Sequence, residues 1–300
     1  MPGREAVQVT VMYESLLEYI GSLLSGFPGS STNQVLAYLA LRRAHHPSMS
    51  QDLLPLFVYT AVSQDLPDRA MPLTAAWTLY LAACHLLDDA QDNQNMQQVN
   101  GGVTAFGVAN VALAQLTTDQ DTLCAILDAF SRVTALATNA QSDEYRPGYI
   151  RSRAEYFQSI GGKAAAIIST GVWAGGRLGT DDTSTLAILK EFGLAWGMAM
   201  QIGDDCLDLA DDLARGLYTL PVIEGLAKTE HPEQSRLKQL SGKPSLSPPE
   251  VQAVVTILAA MGTMDSCRRV VRAYQMQASA VFNVFPGLEP YFADYVAPDI

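Results

Sequence analysis

The sequence predicts an all-α protein, and three observations carry that reading. Strand-type alternation is almost absent, apolar residues recur at helical spacing from Val11 onward, and the breaks between those runs are short and carry proline or glycine. Of 300 residues, 48 % are apolar and only 17 % charged, which suits a large buried core. No shift in composition marks a boundary and no repeat is evident, so residues 1–300 read as a single helical domain.

The elements follow in order. Val11–Leu24, Asn33–Ala44, Leu53–Ser63 and Ala70–Asp92 read as successive helices, separated by Gly26-Phe27-Pro28, His46-Pro47 and Leu66-Pro67-Asp68. Val103–Leu116, Asp119–Thr138, Glu155–Leu178 and Thr183–Asp208 continue the series, the last two joined across Gly179-Thr180-Asp181-Asp182. Lys228–Pro249 is polar and proline-bearing, a surface loop with room for a short helix. Pro221–Ala227, Pro249–Met261 and Asp265–Phe285 complete the set.

A net charge of −12 and a pI near 4.7 argue against nucleic acid or an anionic membrane surface as partner. Cys84, Cys124, Cys206 and Cys267 form no CxxC pair and read as free thiols in a reducing compartment. Arg4, Glu5, Glu14 and Glu18 leave no apolar signal core at the start. The uncharged stretch Thr74–Leu87 is too short to span a bilayer and reads as a buried helix. A cytoplasmic location is expected.

The chemistry is carried by two aspartate clusters, each at the end of a long apolar run. Asp88 and Asp92 are four apart in Asp88-Asp89-Ala-Gln-Asp92, so on a helix both carboxylates stand on one face, continuing a stripe through Cys84, Leu81 and Trp77. Asp204-Asp205-Cys-Leu-Asp208 repeats the arrangement, sharing its face with Gln201, Gly197 and Gly193. Solvated helix ends would also read this way. Same-face aspartates repel, however, and neither cluster has a lysine or arginine at a compensating spacing, so a cation is the natural neutraliser. Oxygen ligands without nearby histidine or cysteine suit Mg2+, or Mn2+, over zinc. Magnesium completes its shell with water and phosphate oxygens, so two aspartate banks beside apolar surface suggest a diphosphate head and a hydrocarbon tail.

At these residues the sequence resembles the trans-isoprenyl diphosphate synthase family, within the class I terpenoid synthase fold. The first cluster is similar to that family's DDxxD, and Gln201-Ile-Gly-Asp-Asp-Cys-Leu-Asp208 to its second aspartate motif. Tyr156-Phe-Gln-Ser-Ile-Gly-Gly-Lys163 resembles the segment whose lysine binds the allylic diphosphate, and Gly216-Leu-Tyr-Thr-Leu-Pro-Val-Ile223 the segment after the second motif. The resemblance implies a helical bundle with a central active-site cavity, an isoprenoid diphosphate substrate and a homodimer. It implies Mg2+ on Asp88, Asp92, Asp204 and Asp208, with Lys163 adding charge and Asp89 and Asp205 orienting ligands. Gln201 and Arg215 are further expected substrate contacts. Trp77, Tyr80 and Phe157, with Phe106 and Trp196, are candidates to face a carbocation through their rings, although ordinary core packing explains each alone. Ala83 and Cys84 resemble the chain-length determinants, and their small size suggests a deep pocket for a C20 or C15 chain.

The departures matter as much. Chain-elongating members hold isopentenyl diphosphate with a Gly-Gly-Lys-Arg-x-Arg-Pro segment; here the stretch is Met49-Ser-Gln-Asp-Leu-Leu-Pro55, placing Gln51, Asp52 and Leu54 at the basic positions. An arginine pair expected after the first motif is Gln97 and Gln98, and a lysine is replaced by Leu217. A close charge pair is worth roughly 4 kcal/mol at an effective dielectric near 20, and each ~1.4 kcal/mol is tenfold in affinity. The expectation is therefore a class I terpene synthase that ionises geranylgeranyl or farnesyl diphosphate without a co-substrate. Two alternatives stand beside it. One is a chain-elongating trans-prenyltransferase that holds isopentenyl diphosphate through Arg42, Arg43 or His45; the other is a non-catalytic regulatory subunit.

Overall fold

The computed structural model describes residues 4–45, 50–63, 65–93, 95–144 and 146–296. It is all-α: the one extended pairing among the described residues is an isolated parallel bridge between Ile150 and Tyr218. The first helices are α1 (Arg4–Ser25), α2 (Ser30–His45), α3 (Leu54–Ser63), α4 (Met71–Asn93), α5 (Met96–Leu113) and α6 (Gln120–Glu144). Then come α7 (Arg153–Ile160), α8 (Ala166–Gly179), α9 (Thr183–Leu207), α10 (Leu209–Ala214) and α11 (Leu220–Ala227). The chain closes with α12 (Gln234–Leu240), α13 (Pro248–Ala260), α14 (Thr263–Ser279) and α15 (Glu289–Val296). His46, Pro47 and Met49 of the sequence reading lie outside the described residues.

Residue contacts divide the chain into two units: Met1–Ala129 with Gly171–Leu186 and Phe285–Phe292, and Phe130–Thr170 with Ala187–Val284 and Ala293–Ile300. In the first, α4 is the core helix, buried from Leu73 through Ala83, and α1, α2, α3 and α5 pack on it. Six consecutive buried residues, Leu54 to Tyr59, make α3 apolar all round, the pattern of an element surrounded by protein. In α1 the buried set Tyr13, Leu16, Ile20 and Leu24 keeps the three-to-four spacing of one inward face. The stretch Thr74–Leu87, read as too short to span a bilayer and as a buried helix, lies inside a longer helical span, Pro67–Gln91, that is long and apolar enough by composition to cross a membrane. Its most apolar window is 72 % buried in protein, which is the mark of a core helix.

In the second unit, one cluster gathers Tyr156, Ile160, Met198, Ile202, Cys206, Leu220, Cys267 and Val271 from α7, α9, α11 and α14. A second gathers Leu209, Leu213, Tyr218, Val222, Leu237, Val254 and Leu258. Capping boxes fix two entries: Ser152 with Glu155 starts α7, and Ser247 with Glu250 starts α13.

Three readings shift. The run Glu155–Leu178 is not one α-helix, because Gly161–Ala165 widens to π geometry between α7 and α8. The run to Asp208 stops at Leu207, and Asp208 becomes the cap of α10, which periodicity did not reveal. The 17-residue α14 ends at Ser279, short of Phe285, followed by a 3-10 turn over Ala280–Asn283. All four cysteines are free, and only Cys206 and Cys267 are buried.

One close approach positions the candidate site. A Cβ added at Gly197 would lie 2.5 Å from Ala165 Cα and 3.0 Å from Ala164 O, so α9 meets the π segment backbone to backbone. Both neighbours are main chain and yield only by moving a helix. Gly197→Ala is therefore expected to lower stability by about 1–3 kcal/mol through overpacking. A thermal midpoint equal to the parent's would show that the helices separate without cost.

Candidate functional site

The second aspartate cluster is built at the junction of α9 and α10. Asp205 is buried at 5 % exposure, and two donors hold its carboxylate: Tyr156 Oη donates to Oδ2 at 2.6 Å, and Gln201 Nε2 to Oδ1 at 2.8 Å. The Tyr156 hydroxyl is held far above its usual pKa, by burial first and by the Asp205 charge second, so it stays a donor. Asp204 and Asp208 turn outward. Although α9 ends before Asp208, its N–H still bonds Asp204 O at 2.8 Å, so the four-residue register that aligns the two side chains survives.

Charge is crowded here. Burial raises the Asp204 pKa to about 6, with the carboxylates of Asp205 and Asp208 adding to the effect. Asp212, buried on α10, is pushed to about 7 by burial and then Asp205, against Arg215, which bridges it at 2.9 Å. Sequence reasoning missed Asp212, since it falls on the short helix that periodicity did not detect. Arg215, the expected substrate contact, donates through Nη2 to Asp212 Oδ1 at 2.9 Å.

Lys163 lies half-buried in the π segment. Such bulges are frequent at functional sites. The Gly197 contact holds this segment against α9, one turn before Gln201, so the structure joins the Lys163 segment and the second aspartate helix in one unit. Phe157 is placed differently from Tyr156. The Arg153 guanidinium sits 4.9 Å over its ring, and it lines an open groove of about 590 Å3 with Arg153, Glu224, Arg269 and Tyr274. Trp196 stacks on Phe192 with ring centres 5.7 Å apart.

The first cluster ends α4. Asp88 is half-buried and Asp89 exposed, while the Asp92 side chain lies outside the described residues. The stripe beneath is an aromatic ladder: Trp77 stacks on Tyr80 at 6.3 Å, and Tyr80 meets the edge of Phe106 at 5.3 Å. Trp77 is fully buried; its indole N–H donates to Gln51 O at 2.9 Å, and its ring fills the space that a side chain at Gly171 would enter. Ala83 is fully buried where Gly102 of α5 passes, and Cys84 is half-buried.

Nearby, Asp52 is 3 % exposed and nucleates a polar knot. Arg42 Nε donates to both its oxygens, at 2.9 and 3.1 Å, Arg42 Nη2 donates to Gln51 Oε1 at 2.9 Å, and Tyr13 Oη donates to Asp52 Oδ2 at 3.2 Å. Thr78 on α4 donates to Asp52 O at 3.1 Å. Arg43 pairs with Glu14. The His45 side chain lies outside the described residues.

Residues 52–258 match the family model described as polyprenyl synthetase, a span that includes both aspartate clusters and Lys163. The chain belongs to the polyprenyl synthetase family. It is 31 % identical over 99 residues to a short chain isoprenyl diphosphate synthase of Methanothermobacter thermautotrophicus, covering 29 % of this chain and 30 % of that one. It is 25 % identical over 143 residues to a nonaprenyl diphosphate synthase of Mycobacterium tuberculosis, covering 44 % and 42 %. The chain thus spans less than half the length of these curated relatives. The geranylgeranyl pyrophosphate synthetase of Pyrococcus horikoshii superposes with a TM-score of 0.83 at 19 % identity, over 98 % of both chains. A decaprenyl diphosphate synthase of Rhodobacter capsulatus does so at 0.82 and 19 %, again over 98 % of each. At such identities the likeness establishes the shared fold.

The fit of a divalent cation is tested by the donors. Among the described residues no three His, Cys, Asp or Glu side chains converge into a metal cage. Outward Asp204 and Asp208 with their raised negative potential instead offer a few oxygen ligands to an ion that keeps water and phosphate in its shell, as magnesium does. The residues fit Mg2+ on those terms.

Proposed function

We propose that this polyprenyl synthetase family member is a Mg2+-dependent trans-prenyltransferase, acting as one domain on an allylic isoprenoid diphosphate and isopentenyl diphosphate. The observation that carries the reading is the family match across residues 52–258 with both aspartate clusters and the lysine segment in place. The likeness to a short chain isoprenyl diphosphate synthase and to a nonaprenyl diphosphate synthase adds support. Asp88, Asp92, Asp204 and Asp208 would hold Mg2+, which when bound neutralises the diphosphate as a leaving group. Lys163 adds a fixed positive charge for the same oxygens. Asp89 faces solvent beside Asp88, and Asp205 is held inward, both as orienting groups. Ala83 and Cys84, beneath the first cluster, set the length of hydrocarbon accepted, with Trp77 and Tyr80 packed beside them. A homodimer and a cytoplasmic location accompany the proposal.

A second reading is favoured by one specific observation. The position where chain-elongating members carry basic residues is here occupied by Gln51 and buried Asp52, and Asp52 is ion-paired to Arg42 at 2.9 Å. Arg42 and Arg43, the residues expected to substitute, are both paired with carboxylates. That geometry favours, as the second reading, ionisation without a co-substrate to give a cyclised or quenched terpene.

The experiment is incubation with Mg2+ and geranylgeranyl or farnesyl diphosphate, with and without isopentenyl diphosphate, followed by mass spectrometry. A longer diphosphate formed only with both substrates is the expected result. A hydrocarbon or alcohol formed from the allylic substrate alone would overturn prenyl transfer in favour of the terpene synthase reading. No diphosphate release from any substrate would leave the regulatory role.

A further inference from the structure

Asp205 lies between two outward carboxylates, yet its own side chain is buried and clamped from both sides. The sequence reading gives it an orienting part without saying what orients it. The donors come from two helices. Gln201 reaches it from one turn earlier on α9, and Tyr156 reaches it from α7, 49 positions away in the sequence. Tyr156 is itself immobilised. It is fully buried, its ring meets the edge of Phe157 at 5.4 Å, and the Arg151 guanidinium lies 5.5 Å over it. Arg151 is 8 % exposed and anchored through Nη1 to Ser159 Oγ at 3.0 Å.

We propose that Tyr156, with Gln201, is a positioning residue for cation binding at the second aspartate cluster. This rests on the Mg2+ and diphosphate reading above. The argument is geometric. A carboxylate fixed at both oxygens cannot swing outward to join its neighbours, so Asp205 supplies fixed negative charge beneath Asp204 and Asp208 without competing for the same coordination positions. The clamp also ties the end of α9, where the outward pair begins, to the start of the Lys163 segment, since Tyr156 lies on the helix that leads into it. Hydrogen-bond partners of this kind typically tune metal affinity by about 10–100-fold.

The test is the affinity for Mn2+ in the presence of inorganic diphosphate, read from the electron paramagnetic resonance of free Mn2+. The proteins are the parent, Y156F, Q201M, D205N and Y156F/D205N, with circular dichroism reporting the fold. Y156F keeps the ring and loses only the hydroxyl. Its affinity is expected to fall about 10–100-fold with the helical signal intact, and the double variant to bind no more weakly than D205N. That coupling separates action through Asp205 from general loosening of the core. A folded Y156F that binds as the parent does, or an effect that adds fully to that of D205N, overturns the proposal. If Y156F does not fold, Q201M decides in the same way: weaker binding supports the clamp, and parental binding removes it. A parent protein that fails to take up Mn2+ with diphosphate sinks the metal reading itself, and this inference with it.

Discussion

Asp204→Asn is expected to lower turnover by about a thousandfold while leaving the protein folded. A metal acting on a leaving diphosphate supplies several kcal/mol of transition-state stabilisation, and at ~1.4 kcal/mol per tenfold that is about three decades. Asparagine keeps the size and one acceptor but removes the charge that draws the cation. The fold should not suffer, because Asp204 is outward-facing and crowded by Asp205 and Asp208, whose carboxylates and the surrounding burial already raise its pKa to about 6. Removing one of three mutually repelling groups relieves that crowding. The measurement is diphosphate release under saturating Mg2+, beside thermal melts with and without Mg2+ and inorganic diphosphate. The parent should melt higher with the pair of ligands and the variant should not, since only binding to the folded state shifts the midpoint. Turnover within a few-fold of the parent would remove Asp204 from the metal site.

The fold class and most helices were legible because the core-facing residues of α1 and α6 keep a three-to-four spacing over many turns, and α4 and α9 are long apolar runs, signals that accumulate with length. Short elements lack that length. The six-residue α10 and eight-residue α15 escaped detection, and the π segment at Gly161–Ala165 is invisible to a rule that assumes a constant period. The aspartate clusters were legible as pairs because they interrupt apolar helices. The family resemblance already set Asp205 apart as an orienting group; what holds it inward was not legible, since that depends on Tyr156 supplying a hydroxyl from another helix. A weak signal was available, because Tyr156 lies seven residues, or two helical turns, before Lys163 in a segment already singled out. The aromatic candidates show the opposite case. Trp77 shares the Asp88 stripe as expected, yet its indole N–H is committed to Gln51 and its ring to Gly171, a packing role that spacing could not distinguish from a substrate contact. Tertiary partners decide such roles, and they come from distant sequence.

Asp52→Ala should cost about 3–5 kcal/mol of folding stability, the range found when one partner of a buried ion pair is removed. The side chains of Arg42 and Asp52 are 11 % and 4 % exposed, so solvent screens the pair little. Alanine would leave the Arg42 guanidinium buried with uncharged partners alone in the knot, Gln51 Oε1 and the Tyr38 hydroxyl, and would strip the Tyr13 hydroxyl of its acceptor. Replacing both partners with apolar residues of similar volume, as in R42M/D52L, should recover much of the loss, because a buried pair contributes less than its rupture costs. Denaturant melts of the parent, the single and the double variant measure both quantities. The same geometry constrains function. Restoring a basic residue with D52R would set two guanidiniums against each other between α2 and the turn before α3, so the variant should be destabilised rather than gain affinity for a second diphosphate. If D52A instead melts within about 1 kcal/mol of the parent, as surface pairs do, then the knot is loose. Arg42 would then be available to an anionic co-substrate, and the case for ionisation without one would lose the buried pair it rests on.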